Sequence, residues 1–372
     1  MKLKNSKKEF LKDIKPSINL IDRYVTGESK IQKRKIIKLS SNESPFKTPS
    51  NIRKIISKNL IDSNLYPDGD SESLKKSISK KFKINSKQII CGNGSDDILS
   101  LIGTAFSREN CEIICDEFGF IFYPIIGRTV GAKVIFSRSN NLKVSPKNIL
   151  NKITKKTKII FLANPNNPTG SMIPKDSLIK FLLNIPKKVI IVIDGAYAEY
   201  VENKDFSDGL ELVERFPNLI VTRTFSKIFG LAGFRIGWAY SSQEVIDVLE
   251  KIRGPFNVNQ VAQKAGSLIL RDKAFIKKSI NHNNKWKAWT INNINKLGLV
   301  VLPSYTNFVL VKIKNNNFSA EDISSKLERM GIKIRYLKNY NLKDYIRISI
   351  GLEKDLKKLI KYLKIILNEG EN

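Results

Sequence analysis

Between residues 50 and 255, short apolar runs alternate with amphipathic stretches, the rhythm of strands joined by helical crossovers. The runs at 88–91, 112–115, 133–136, 158–162, 189–193, 219–222 and 235–240 predict seven strands. Several are apolar at every position instead of every second one, so neither face can look onto water. Such strands belong in a sheet covered on both sides, and the fold class is α/β. After residue 257 the pattern changes. A long helical stretch is followed by strand-like segments at 307–311, 333–336 and 345–350 and by an amphipathic closing helix, LEKDLKKLIKYLKIIL. That reads as a second, smaller α+β unit. No repeat or low-complexity linker separates the two parts, so they are expected to pack directly and to make a cleft between them.

Composition narrows the function classes. The chain has 372 residues and is 41% hydrophobic, enough for a substantial core and roughly two folding units. Lys and Arg number 65 against 35 Asp and Glu, a formal net charge of +30. A clustered excess of this size would point to nucleic acid or an anionic membrane. Here the basic residues are spread along the chain among Ile-rich and Asn-rich stretches, which reads as solvated faces; neither partner is expected, though a basic surface can steer an anionic substrate. Cys91 and Cys115, two of the three cysteines, sit in apolar runs and behave as small hydrophobes, so no disulfide framework is expected. The first residues, MKLKNSKKEFLKDIKPS, contain no apolar leader core, and no stretch is long enough to span a bilayer, so the expectation is a soluble, cytoplasmic protein. His282, the only histidine, lies in the polar stretch NHNNKW and is expected on a solvated helix face. Histidine-dependent nucleophilic triads and zinc centres therefore lack their residues, and no metal is expected.

Candidate chemistry falls at the ends of the expected strands, where open α/β sheets bind ligands. The run VIIVI ends on Asp194-Gly195-Ala196-Tyr197, a carboxylate at a strand mouth with a phenol three residues on; an ordinary helix cap would look the same. The strand at 219–222 runs into RTFSKIFGLAGFR, in which Thr224, Ser226, Lys227, Gly230, Gly233 and Arg235 form a compact, phosphate-friendly turn or, equally, a plain Gly-rich loop. The segment GNGSDD, with Gly94, Ser95 and Asp96, opens an apolar helix after a strand, an arrangement that leaves N–H groups for an anion or for simple capping. The run NPNNPTG holds Asn167 in a turn stiffened by two prolines.

Taken in order, GNGSD, NPNNPTG, DGAY and SKIFGLAGFR resemble the cofactor site of the fold-type-I, pyridoxal-phosphate-dependent aminotransferases over essentially the whole chain. Within them, SSNESPF, YPDG, EFGFIFYP, PFNVN, SYTNFVLV, GIKIR and YIRISIG are most similar to the histidinol-phosphate aminotransferase family. The resemblance implies a large domain with a mostly parallel seven-stranded sheet between helices and a smaller α+β domain built from both termini. It puts the cofactor-binding domain at 48–256 and the small domain at 1–47 and 257–372. It implies that Lys227 carries the cofactor, that Asp194 pairs with the ring nitrogen, and that Tyr197 and Asn167 meet the ring's phenolic oxygen. Gly94, Ser95, Asp96, Thr224, Ser226 and Arg235 would surround the cofactor phosphate, and Phe120 would lie against the ring. Tyr66 would reach the site of a second subunit, so a homodimer with shared sites is implied.

For the substrate, the resemblance assigns Arg347 to a carboxylate and Arg335, Tyr24, Asn42 and Tyr123 to the rest of the pocket. Two positions depart from the family pattern near that pocket: Phe118 replaces the usual His or Pro, and Thr26 an expected Pro. The implied reaction moves an amino group between L-histidinol phosphate and 2-oxoglutarate in histidine biosynthesis. The same scaffold accommodates an aromatic amino-acid aminotransferase, a phosphothreonine decarboxylase and, in another class, a non-catalytic cofactor-binding regulator.

Overall fold

The computed structural model describes residues 15–22, 36–58, 64–313 and 317–368. In chain order the strands are β1 (Ile37–Lys38), β2 (Ile89–Gly92), β3 (Glu112–Asp116), β4 (Lys133–Ser137), β5 (Thr157–Ala163), β6 (Ile190–Asp194), β7 (Leu219–Thr224) and β8 (Gly237–Tyr240), then β9 (Val300–Val301), β10 (Phe308–Lys312), β11 (Ile332–Lys333), β12 (Arg335–Tyr336) and β13 (Tyr345–Ser349). The helices are α1 (Ser50–Lys58), α2 (Glu72–Phe82), α3 (Ser95–Phe106), α4 (Phe122–Thr129), α5 (Pro146–Leu150), α6 (Lys175–Leu183), α7 (Gln243–Ile252), α8 (Gln260–Ile269), α9 (Lys273–Asn295), α10 (Ala320–Arg329) and α11 (Glu353–Asn368).

The seven expected strands of the first unit form one sheet in the order β2-β8-β7-β6-β5-β3-β4. Only β8 runs against its neighbours, and because β2 and β7 are each antiparallel to it, β2 points the same way as the five parallel strands. The carboxyl ends of β2, β5, β6 and β7 thus meet at one edge. The continuous apolar runs have the reason given by their pattern. On β6, Ile191 and Ile193 enter the core on one face while Val192 enters the core on the other, and Ile89 and Ile90 of β2 divide in the same way. Helices fill both faces, and each buried Ile or Val contributes roughly 1.5–3 kcal/mol relative to exposure. Helix α8 packs against α1 and α2 on this core.

The second unit has an antiparallel sheet in the order β12-β13-β10-β9 and a two-stranded pair, β1 parallel to β11, which ties a segment near the start of the chain to the C-terminal part. Its core gathers Trp286 and Ile294 of α9, Ile323 and Leu327 of α10, and Leu356, Leu359 and Leu363 of α11. The single strand expected at 333–336 is two short strands in different sheets. Ile332 pairs with Ile37, whereas Arg335 pairs with Arg347. Ile332 in β11 and Ile334 at the break are both in the core, so the apolar alternation continues while the hydrogen-bonding partner changes. Among the described residues no helix is long and apolar enough to cross a membrane.

Candidate active site

A cavity of about 350 Å³ opens where the carboxyl ends of β2, β5, β6 and β7 face the second unit. From the first unit it takes Ser95, Asp96, Asn167, Asp194, Tyr197, Thr224, Ser226, Lys227 and Arg235; from the other side come Asn42, Arg335 and Arg347. Four separate sequence segments and the second unit therefore supply one concave site.

Lys227 stands three residues beyond β7 on a turn closed by the Phe225 carbonyl accepting from Leu231 N at 3.0 Å and the Lys227 carbonyl accepting from Gly230 N at 3.0 Å. Gly230 has φ +67°, in the left-handed region where a side chain is disfavoured. The Lys227 amine donates to the carbonyl of Ser41 at 3.2 Å and lies 5.8 Å from the centre of the Tyr197 ring. Desolvation lowers its pKa to about 8, helped by the nearby Arg347 guanidinium and opposed by the carboxylates of Asp96 and Glu43. That is an amine kept partly unprotonated near neutral pH.

Asp194 ends β6 and is almost fully enclosed. Its Oδ2 accepts from the Tyr123 hydroxyl at 2.8 Å, and its Oδ1 accepts from Thr222 at 3.3 Å and from Ala196 N at 3.2 Å. Burial raises its pKa to about 6, with the Tyr123 hydrogen bond the largest influence holding it down. The Tyr197 hydroxyl accepts from Asn42 Nδ2 at 2.9 Å, and burial pushes its pKa up to about 12.

On another wall, α3 begins after Gly94, whose position carries no side chain to cap the first N–H groups. Gly94 has φ +92°, and a Cβ there would stand 2.5 Å from NH2 of Arg235, so the guanidinium lies directly over the start of the helix. Arg235 donates to Ser226 Oγ at 3.3 Å and faces Asp96 Oδ2 at 3.5 Å. Helix N–H groups, two hydroxyl residues and a guanidinium make a cradle for a phosphate-sized anion.

Arg335 and Arg347 are directly opposed across β12 and β13. Arg347 is buried; its NH2 donates to the carbonyl of Ser40 at 2.9 Å, its NH1 to Asn167 Oδ1, and its Nε has no partner among the described residues. Two guanidinium groups at one cross-strand position in the cavity wall concentrate positive charge where an anion can be held.

Two of the expected site residues lie elsewhere. Tyr123, assigned by resemblance to substrate binding, is 1% exposed, stacks on Phe161 at 5.0 Å and does not line the cavity; it sits behind Asp194 because its hydroxyl needs a buried partner. Tyr66 is 81% exposed, stacks on Phe256 at 4.6 Å and does not line the cavity within the single chain. Tyr24 lies outside the described residues. Phe120 does line the cavity, edge-on to Tyr123. His282, expected on a solvated face, is instead packed edge-on against Phe46 at 4.8 Å with Nε2 2.9 Å from the Gly351 carbonyl. Sequence reasoning did not reach Tyr340 and Glu43, which also line the cavity, or Arg223, which lies behind it. The only signals were adjacency in sequence: Glu43 follows Asn42 and Arg223 precedes Thr224.

The sequence profile of aminotransferases of class I and II matches residues 34–363. The histidinol-phosphate aminotransferase of Pelagibacter ubique is 41% identical over 350 residues, covering 94% of this chain and 97% of that protein. The enzyme of the same name from Rhodopseudomonas palustris is 40% identical, covering 91% and 94%. Among solved structures, histidinol-phosphate aminotransferase from Sinorhizobium meliloti in complex with pyridoxal-5'-phosphate superposes with a TM-score of 0.90 at 25% identity, covering 96% of this chain and 98% of that one.

Proposed function

The chain belongs to the class I and II aminotransferases, and on that premise we propose that it is a pyridoxal-phosphate-dependent histidinol-phosphate transaminase, moving an amino group between L-histidinol phosphate and 2-oxoglutarate to give imidazole acetol phosphate and L-glutamate. The observation that carries this reading is that one cavity holds the low-pKa amine of Lys227, the buried carboxylate of Asp194 and the register-paired Arg335 and Arg347.

The residues fit pyridoxal phosphate. The cradle at Gly94, Ser95, Asp96, Thr224, Ser226 and Arg235 would take its phosphate, and Asp194, which forms no ion pair among the described residues, would take its ring nitrogen. Bound there, the cofactor supplies an aldehyde and an electron-withdrawing ring that stabilises negative charge at the substrate's α-carbon. Lys227 would hold the cofactor covalently, and its amine would move the proton at the substrate's α-carbon. Asp194 keeps the ring nitrogen protonated, at the expense of its own neutral form. Tyr197 donates toward the phenolic oxygen of the ring, as does Asn167, whose Oδ1 is already engaged by Arg347 and whose amide nitrogen is the end left to donate. Phe120, in the cavity wall, would cover one ring face.

Arg347 grips the carboxylate of the amino acid or the phosphate of histidinol phosphate, and Arg335 with Asn42 and Tyr24 meets the phosphate-bearing end. Each charge-assisted contact adds about 1.5–3 kcal/mol against a substrate lacking the anion. We read residues 48–256 as the cofactor-binding domain and 1–47 with 257–372 as the small domain, and the protein as a cytoplasmic homodimer in which Tyr66 reaches the neighbouring site. Steady-state turnover against histidinol phosphate, phenylalanine, tyrosine and phosphothreonine tests the assignment. Histidinol phosphate is expected to be the preferred donor; turnover of phenylalanine without it, or carbon dioxide release from phosphothreonine, overturns the reading.

A further inference from the structure

Behind the wall that carries Asp194 and Tyr197 lies an ion cluster that the reaction above does not use. Arg223, the next-to-last residue of β7, is 1% exposed. Its NH1 donates to the carbonyl of Gly195 at 3.2 Å and lies 3.5 Å from Glu199 Oε1, while NH2 meets the carboxylate of Asp208. The Gly195 carbonyl also accepts from Ala198 N at 3.1 Å, and Gly195 N donates to the Thr222 carbonyl at 2.9 Å. A Cβ at Gly195 would stand 3.1 Å from both Nε and NH1 of Arg223, so the guanidinium lies against the backbone of the turn with no room between.

The position of this cluster in β7 matters. Successive side chains on a strand point to opposite faces. Thr222 hydrogen-bonds Asp194 and Thr224 lines the cavity, while Arg223, between them, reaches the same turn from the other side. Stability alone does not account for the cluster. Desolvating the Arg223 guanidinium and the largely buried Glu199 carboxylate costs several kcal/mol per ion, and well-packed apolar replacements of such pairs are often neutral or stabilising. What the cluster adds over an apolar one is the directional hydrogen bond from Arg223 NH1 to the Gly195 carbonyl, with the two carboxylates holding the guanidinium in place by charge.

We propose that Arg223 is a positioning residue: acting through the Gly195 carbonyl, it fixes the turn from Asp194 to Ala198 and so sets the separation of the Asp194 carboxylate and the Tyr197 hydroxyl, between which the cofactor ring would be held. The nature of the ring rests on the function proposed above; the clamp on the turn belongs to the chain without cofactor. Arg223 touches neither cofactor nor substrate.

The test compares wild type with Arg223→Gln and Arg223→Lys. Backbone hydrogen exchange is measured on the apo chain, and kcat and KM on the holoenzyme. In Arg223→Gln, exchange is expected to speed up at residues 195–200 while β3 and β5 keep wild-type protection. Its kcat should fall on the order of a hundredfold, the cost of roughly 1 Å of misplacement, with little change in KM. Arg223→Lys, which restores a donor to the Gly195 carbonyl, should recover part of both. Wild-type exchange at 195–200, or faster exchange spread evenly through the sheet, overturns the proposal by marking a merely structural cluster. Should Arg223→Gln not fold, Asp208→Asn removes only the partly exposed partner and is read by the same exchange; unchanged protection at 195–200 overturns the proposal there too. If wild type does not turn over histidinol phosphate while the local exchange effect holds, the substrate reading fails and the clamp stands.

Discussion

The hydroxyl of Tyr123 donates to Oδ2 of Asp194 over 2.8 Å, from a ring stacked on Phe161 beneath the cavity floor. This bond is the strongest influence holding the Asp194 pKa down against burial, which nonetheless raises it to about 6. Tyr123→Phe removes the bond and leaves the ring in place. The acid limb of the kcat profile is expected to move to higher pH, because more Asp194 is then protonated at a given pH, and kcat at neutral pH should fall about tenfold, the lower end for a hydrogen bond to a charged group. A pH–rate series on the variant checks this; a profile that superposes on wild type contradicts it.

The Lys227 amine, with its pKa lowered to about 8 from an ordinary 10.5, sets a second pH dependence. Only the neutral amine attacks an aldehyde, so the rate of covalent cofactor uptake by the apo chain should inflect near pH 8. The same shift acts on stability. Between pH 8 and 10.5 the unfolded chain binds more protons at this position than the folded one, so the contribution is complete above 10.5 and is lost as pH falls through about 8. Apo Lys227→Met should therefore gain stability relative to wild type as pH falls through that window, a difference read by urea unfolding at pH 7 and pH 10.

Arg235 bridges Ser226 and Asp96 above the start of α3. Arg235→Gln keeps some hydrogen bonding and loses the charge, and should weaken retention of pyridoxal phosphate roughly 10- to 100-fold, the equivalent of about 1.5–3 kcal/mol. Equilibrium dialysis of cofactor against the apo variant measures it. Retention equal to wild type would place the phosphate elsewhere.

Arg335 and Arg347 face one another across β12 and β13, and the proposed function gives them different tasks. Arg335→Gln should raise KM for histidinol phosphate by roughly tenfold or more and leave 2-oxoglutarate much less affected, whereas Arg347→Gln should impair both substrates. Parallel losses on both substrates in Arg335→Gln would remove its assignment to the phosphate-bearing end.

Much of this architecture was legible in the chain because several of its strands carry long unbroken apolar runs, and only a sheet sandwiched between helices tolerates that pattern. The site residues at strand ends followed from the same geometry: Asp194, Lys227 and the start of α3 share an edge because β2 and β7 both oppose β8. What the sequence could not disclose depends on three-dimensional proximity between distant segments. Tyr123 belongs to a motif that borders the cavity, yet its hydroxyl turns inward to a carboxylate 71 residues away. The segment at 333–336 reads as one strand because apolar alternation does not register a change of hydrogen-bonding partner. Arg223 looks from sequence like one of many basic residues, and nothing local reveals that Glu199 and Asp208 close over it.

The most direct test of the account is the site of cofactor attachment. Holoenzyme purified with pyridoxal phosphate is reduced with borohydride, digested and mapped by mass spectrometry. The account predicts a phosphopyridoxyl group on Lys227, with Lys227→Ala unlabelled and its kcat reduced on the order of 10⁴-fold. Label on another lysine, or none on Lys227 in active protein, would contradict it.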